Sequence, residues 1–468
     1  MSEPVSSVSS ALPPSADDRW RPLQGFALLL LWYAFFAHNY LTANDGSRFA
    51  LTAAIVEGDT LEIGTIYPRI VDASAHPVDA AIFDGRIYSD KAPLGALLAV
   101  PVYRLARRLT DRLPWLVYAV TVCCASLCGA LLGLLFLLTL RDWGVTSTRA
   151  LLLTLAVGFG SNLFYWSTVF FSHALTSLLL FGAWFALRRY RHRWWLIAAG
   201  AAAGAAFTSE FSALPAIAGV VVYALARHRG RALWLLAGVL PPLLMLAGYD
   251  YLLFGDPLVL PYRHQMFFAD AHSTGFYGVH LPQPLELLRL LFGPQHGLLL
   301  YNPLLLAALV ATPLFVKRWR SEACWVLAIA GALLLALSGM DTVRVLGRCW
   351  GPRLLLPALP FLALALAVVD GQRRWLRWTS TIAIALSVAI NFAIVNASYL
   401  PHEIGWSAWG DLVRGFSGLG SGNIVVLTLQ PSSRWLALAT LAIPLALSAL
   451  ALMLPALMRR LAAIRARA

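Results

Sequence analysis

The stretch 83-FDGRIYSDKAPLGALLAVPVYRLARRL-109 decides the layout of this chain. Its second part, 93–109, is apolar enough to suggest a membrane span. Whether it crosses sets the side that every later loop faces. Outside it, twelve stretches approach the roughly 20 apolar residues that a spanning helix needs. They run over about 23–41, 114–140, 149–166, 168–187, 194–209, 211–226, 232–254, 297–316, 323–340, 353–369, 376–398 and 434–457. The fifth and sixth are short and read as a tight hairpin around Thr208-Ser209-Glu210-Phe211.

Charge settles the parity. If 93–109 only dips into the interface, alternate connections collect 21 of the 36 Lys and Arg residues in short loops and tails, among them Arg188, Arg189, Arg191 and Arg193. The positive-inside rule makes that side cytoplasmic. If 93–109 crossed, six Arg-rich segments would face outward. The expected layout therefore has both termini inside and the long loops 42–113, 255–296 and 399–433 outside. The fold class is all-α: a polytopic membrane protein of about 12 transmembrane helices (11–13), whose long first outer loop carries interfacial helices. Three regions follow: a flexible cytoplasmic N-terminus over 1–22, a transmembrane module over 23–370, and C-terminal helices over 371–468 with outer loop 399–433.

Composition agrees. Of 468 residues, 59% are hydrophobic and 13% charged, and the mean hydropathy is +0.70. Soluble domains are about 25% charged, so a water-soluble fold and a disordered chain are excluded. The net charge of +13 reflects the basic inner loops, not nucleic-acid binding. Residues 1–18 lack signal-peptide character, so the first apolar run is expected to remain as a helix. The five cysteines form neither a zinc pattern nor a disulfide framework. The inner side carries no nucleotide-binding motif. Chemistry belongs at the outer face, which holds the long loops and most of the acids.

In that face, Asp45 follows the first helix in AHNYLTANDGSRFAL. It reads as an Asn-Asp-Gly-Ser turn, as a base for an acceptor hydroxyl, or as a ligand for a divalent cation, the one cofactor left open. Asp84-Gly85 makes a turn, and Tyr88-Ser89-Asp90-Lys91 runs to the membrane edge at Pro93. Lys91 is the one outward lysine of a chain with 34 Arg and 2 Lys. It reads as a snorkelling cation or as a point charge for a lipid phosphate, with Asp90 a second acid or a local partner. Arg344, Arg348 and Arg353 read as headgroup anchors beside Trp350 or as a phosphate clamp. His173, Glu210 and Tyr301 converge on the same side. Glu210 is an acid at membrane depth, and His173 and His296 are expected to serve structural hydrogen bonds.

These motifs together resemble the GT-C superfamily, and within it the bacterial lipid-carrier-dependent members related to protein mannosyltransferases and lipid A aminoarabinose transferases. The resemblance rests on the first-loop acid and on YSDKAPLG at 88–95. It continues through FYWSTVFFSHAL at 164–175, FTSEFSALP at 207–215, YLLFGDPL at 251–258, FGPQHGLLLYNPLLL at 292–306 and WGPRLLLPALP at 350–360, and covers about 30–370. It implies a membrane glycosyltransferase in the bacterial inner membrane. Such an enzyme moves a sugar from a polyprenyl-phosphate donor to an envelope glycan, lipid or protein acceptor on the outer face. Asp45 matches the family's first-loop acid, the expected base. Lys91 matches the lysine of its Lys-Pro-Pro stretch, which contacts donor phosphate. Arg353 matches the arginine of its Gly-Pro-Arg run. Departures are Asn44 and Gly46 around Asp45, Lys-Ala-Pro at 91–93, and Glu210 where relatives often carry a basic residue. Readings from other classes are a transporter or flippase of lipid-linked saccharide, a glycan ligase or polymerase using lipid diphosphate, and a non-enzymatic envelope scaffold.

Overall fold

In hydrocarbon a backbone finds no water to bond, so long apolar runs close their hydrogen bonds within helices. The computed structural model describes residues 16–71, 79–267, 270, 273–341, 346–369, 374–397, 400–401, 405–417, 422–430 and 433–465. Each of the twelve apolar stretches falls on helix. The principal helices are α1 (Arg21–Phe35), α2 (Ala43–Glu57), α3 (Leu94–Arg107), α4 (Leu113–Asp142), α5 (Ser147–Phe159), α6 (His173–Arg188), α7 (Arg193–Ser209) and α8 (Leu214–His228). They continue with α9 (Trp234–Phe254), α10 (Leu304–Arg318), α11 (Arg320–Leu337), α12 (Arg353–Val368), α13 (Arg374–Val395) and α14 (Ala442–Arg465). A single hairpin, β1 (Ala80–Phe83) with β2 (Arg86–Ser89), is the only sheet among the described residues.

Among the described residues, five helical stretches are long and apolar enough to cross a membrane: Leu113–Asp142, Phe211–Phe254, Arg320–Leu337, Arg374–Val395 and Trp435–Leu457. Phe211–Phe254 turns at Arg229–Leu233, where Arg229 has φ +49°. Leu236, Leu240, Leu244 and Leu252 on α9 and Leu445, Leu450 and Met453 on α14 are exposed. An apolar exterior of this extent suits lipid, not water.

The segment 93–109 forms the amphipathic helix α3, about 21 Å long at 1.5 Å per residue. Leu98 and Leu105 are exposed on its outer side, while Ala96, Ala99 and Tyr103 face inward. Beneath it lies α2, buried from Asp45 to Ala54. Thr52 Oγ1 donates to Ala96 O at 2.9 Å and ties the two helices together.

Close helix contact depends on glycine at the α7–α9 pair. A Cβ on Gly200 would lie 2.0 Å from Leu235 O, and one on Gly238 1.9 Å from Ile197 O. Small residues let helix backbones approach in this way.

The two ends of the bundle differ. At one end Arg188 and Arg189 pair with Asp142, and Arg227 with Glu322. Arg188 also stacks near Trp143 and Trp184. These contacts join loops that the charge count places inside. At the other end the long connections gather around a cavity.

Candidate functional site

The site is built on three local devices. The first is the hairpin. Asp84 (φ +51°) and Gly85 (φ +74°) form the two-residue turn that such hairpins prefer. Antiparallel pairing of Ala80 with Ser89 then sets Asp79 opposite Asp90, next to Lys91. Lys91 Nζ donates to Asp79 Oδ1 at 2.6 Å and to Asp90 Oδ2 at 2.9 Å. Gln265 Nε2 also donates to Asp90 Oδ2.

The second device is the start of α2. Thr42 and Asp45 form a reciprocal capping box, with Thr42 N and Oγ1 donating to Asp45 Oδ1 at 2.8 and 2.7 Å. Asp45 therefore sits in the first turn of a helix and not in a turn trailing α1, which ends at Phe35. One turn further along, Arg48 projects from α2. Its Nε donates to Ser172 Oγ at 2.9 Å, and its Nη2 lies 3.5 Å from Glu210 Oε2. His173 Nδ1 is 3.7 Å from the same carboxylate oxygen.

The third device is the turn before α12. Gly351 takes φ +70°, a conformation that favours glycine. A Cβ there would meet Asn162 Oδ1 at 2.5 Å. Asn162 Nδ2 donates to Trp350 O at 3.4 Å, and Asn302 Nδ2 donates to Asn162 Oδ1 at 2.8 Å. This buried amide network holds the turn that presents Arg353. The guanidinium carbons of Arg353 and Arg48 each stand 5.9 Å from the ring centre of Phe171, within cation–π range.

These groups meet in a cavity of about 460 Å³. Arg48, Lys91, Arg348, Arg353, Asp79, Glu210, His173, Tyr262 and Gln265 contribute its polar lining. Phe207, Phe211, Leu214, Pro215, Leu260, Val279, Leu337, Met340, Leu346 and Leu354 contribute the apolar one. Four cations face two carboxylates, so the cavity suits an anionic head on an apolar body. Burial pulls the Asp79 carboxyl upward, but the Lys91 ammonium and its hydrogen bond, with Arg353 and Arg48 beyond, hold it below the usual carboxylate range. At Asp90 burial wins over Lys91, Asp79 adds to it, and the carboxyl is held above that range.

Of the residues singled out from the sequence, Lys91, Arg353, Arg348, His173 and Glu210 line the cavity. Asp90 is fully buried behind Lys91. Asp45 is also fully buried, while its neighbours Thr42, Ala43 and Asn44 line the wall. Tyr301 stands apart, buried, with its hydroxyl donating to Pro294 O at 3.0 Å. Arg344 lies outside the described residues. His296 Nε2 donates to Gly347 O at 2.8 Å. Its pKa is pushed down to about 4 by burial, against the pull of that bond. Among the described residues no group of three or more His, Cys, Asp or Glu could hold a metal ion.

No protein-family model matches the chain, and no curated protein matches it in sequence. Solved structures do match. The crystal structure of ArnT from Cupriavidus metallidurans bound to undecaprenyl phosphate aligns over 93% of this chain and 77% of that one, with TM-score 0.54 and 14% identity. The apo structure of the same protein aligns over 94% and 77%, with TM-score 0.52 and 17% identity. The fold is that of ArnT. The polytopic helical architecture expected from the motifs is therefore the one found.

Three residues at the cavity are not marked by local sequence: Asp79, Arg48 and Phe171. Asp79 had no motif around it and is brought to Lys91 only by hairpin register. Arg48 was visible as a charge directly before the apolar run Phe49-Ala50-Leu51, three positions after the Asp of a Thr-x-x-Asp helix start. Phe171 lay within a quoted motif but carried no charge to mark it.

Proposed function

We propose that this protein is a membrane glycosyltransferase that takes a sugar from a polyprenyl-phosphate donor and transfers it to a cell-envelope acceptor at the outer face. The observation that carries the reading is the cavity: Lys91, Arg48, Arg353 and Arg348 line it together with apolar side chains such as Phe207, Phe211, Leu337 and Leu354. A phosphate leaving group needs preorganised cations in a poorly hydrated site, where their electrostatic effect is large. A prenyl chain needs an apolar surface continuous with lipid. In support, ArnT, which shares the fold, was crystallised with undecaprenyl phosphate.

In this reading Lys91 and Arg353 hold the donor phosphate, Arg353 as a planar fork and Lys91 as a compact charge. Arg48, pinned by Ser172 and Glu210, adds field without needing to move. Asp45 is the candidate base for the acceptor hydroxyl; it stands behind Thr42, Ala43 and Asn44, which line the cavity, so the acceptor must reach it through that wall. The charge asymmetry of the loops supports an outward-facing cavity in a membrane whose basic connections stay inside. The test is direct. Purified protein in lipid nanodiscs should bind undecaprenyl phosphate, and a strain lacking it should lose one sugar modification from its envelope glycans or lipids by mass spectrometry. A protein that binds no prenyl phosphate, in a strain whose envelope is unchanged, would overturn the reading.

A further inference from the structure

Lys91 is held asymmetrically. On one side stands Asp90, fully buried and also bonded to Gln265. On the other stands Asp79, whose side chain keeps 16% of its exposure and lines the cavity. Lys91 and Asp79 both line the cavity and Asp90 does not, so the 2.6 Å contact from Lys91 Nζ to Asp79 Oδ1 is the one of the lysine's two carboxylate contacts that borders the cavity. The cavity is the side from which a phosphate oxygen would arrive. A carboxylate is ionised there, because Lys91, Arg353 and Arg48 all favour its charged form.

We infer that Asp79 is an internal occupant of the phosphate seat: its carboxylate holds Lys91, yields it to a prenyl phosphate, and takes it back to drive release. The inference deepens the proposed function and rests on it. Its physical basis is charge. A sugar phosphodiester carries one negative charge, and exchanging it for a carboxylate on the same ammonium is close to an even trade. A phosphate monoester carries about 1.5 to 2 charges at neutral pH, so Lys91 turns toward the phosphate as the sugar leaves. Such an interaction is stronger late in the reaction than at its start, the condition for it to assist the chemical step. The same carboxylate then competes with the bound monoester and limits product inhibition. Asp79 is in this sense a specificity-determining residue for the charge of the lipid phosphate.

The experiment measures undecaprenyl phosphate binding to the full-length protein in nanodiscs, for wild type, Asp79→Asn and Asp90→Asn. Asparagine keeps the shape of the hairpin and removes the competing charge. Asp79→Asn should tighten binding roughly tenfold, equivalent to about 1.4 kcal/mol, and Asp90→Asn should not. Asp79→Glu should return affinity toward wild type. Unchanged or weaker binding by Asp79→Asn would make the residue a brace for Lys91 and overturn the inference. Equal tightening by both amide variants would reduce the effect to overall charge and overturn it too. Absence of binding in wild type and every variant would instead refute the underlying assignment of a prenyl-phosphate site.

Discussion

At Lys91 one ammonium balances two carboxylates, with its side chain only 7% exposed. Removing one partner of a buried ion pair typically costs about 3–5 kcal/mol, because the remaining charge loses its compensation. Lys91→Met should therefore lower both prenyl-phosphate affinity and the unfolding temperature. Adding Asp79→Asn should recover part of the stability but none of the affinity. Thermal unfolding and binding measured on the same samples separate the two effects, and full recovery of affinity in the double variant would remove Lys91 from the phosphate site. Asp45 poses a sharper question. Its Oδ1 accepts both bonds from Thr42, and Asn offers the same carbonyl acceptor. Asp45→Asn should thus preserve the helix start and donor binding while cutting sugar transfer on the order of 10²–10⁴-fold, the usual contribution of a positioned base. Near-wild-type turnover would leave Asp45 as a cap alone.

Helix ends and helix contacts hold these residues in place. The turn Trp350-Gly351-Pro352 is clamped by Asn162 and presents Arg353. Gly351→Ala would place a methyl 2.5 Å from Asn162 Oδ1 at a positive φ. The expected result is a shifted Arg353 and weaker donor binding, with expression retained; unchanged donor affinity would show that the clamp does not govern Arg353. The α7–α9 contact makes a different demand. Gly238→Ala would bring a methyl 1.9 Å from Ile197 O, a backbone atom that cannot swing aside. Overpacking of this kind costs about 1–3 kcal/mol or more, so this variant should unfold at lower temperature. A substitution at Gly248, where a Cβ meets nothing within 4 Å, should be neutral in the same assay.

At the scale of the molecule, the loops sort into two sets. Cavity residues such as Thr42, Lys91, Phe171, Glu210, Tyr262, Val279, Arg348 and Leu400 lie in or next to segments that the charge count assigns to the outer side. Ion pairs among Asp142, Arg188, Arg189, Arg227 and Glu322 join segments assigned to the inner side. Contacts in the fold thus respect the partition drawn from basic residues, which supports a cavity open to the outside. In a cysteine-free background, a cysteine in place of Arg191 should react with an impermeant thiol reagent only after the membrane is opened. One in place of Ser273 should react in intact cells. The reverse pattern would invert the layout.

What the sequence alone determined is what composition and periodicity control. Long apolar runs cannot avoid becoming helices in lipid, and Arg placement biases which ends stay inside. The Asp84-Gly85 turn was legible because positive φ at two successive residues is met by few sequences. So were Lys91, Arg353 and Arg348, outward charges in an otherwise apolar chain. Tertiary structure decided the rest. Asp79 reaches Lys91 through strand register, Arg48 reaches Glu210 across 162 positions, and Phe171 lies 5.9 Å from each of two guanidinium groups carried by separate helices. Local sequence carries no record of such pairings, because each depends on how separate helices pack. Packing also buried Asp45 and Tyr301. Both residues had the right chemistry to face a substrate, and only the enclosing helices determine whether a polar side chain lines a cavity or supports its wall.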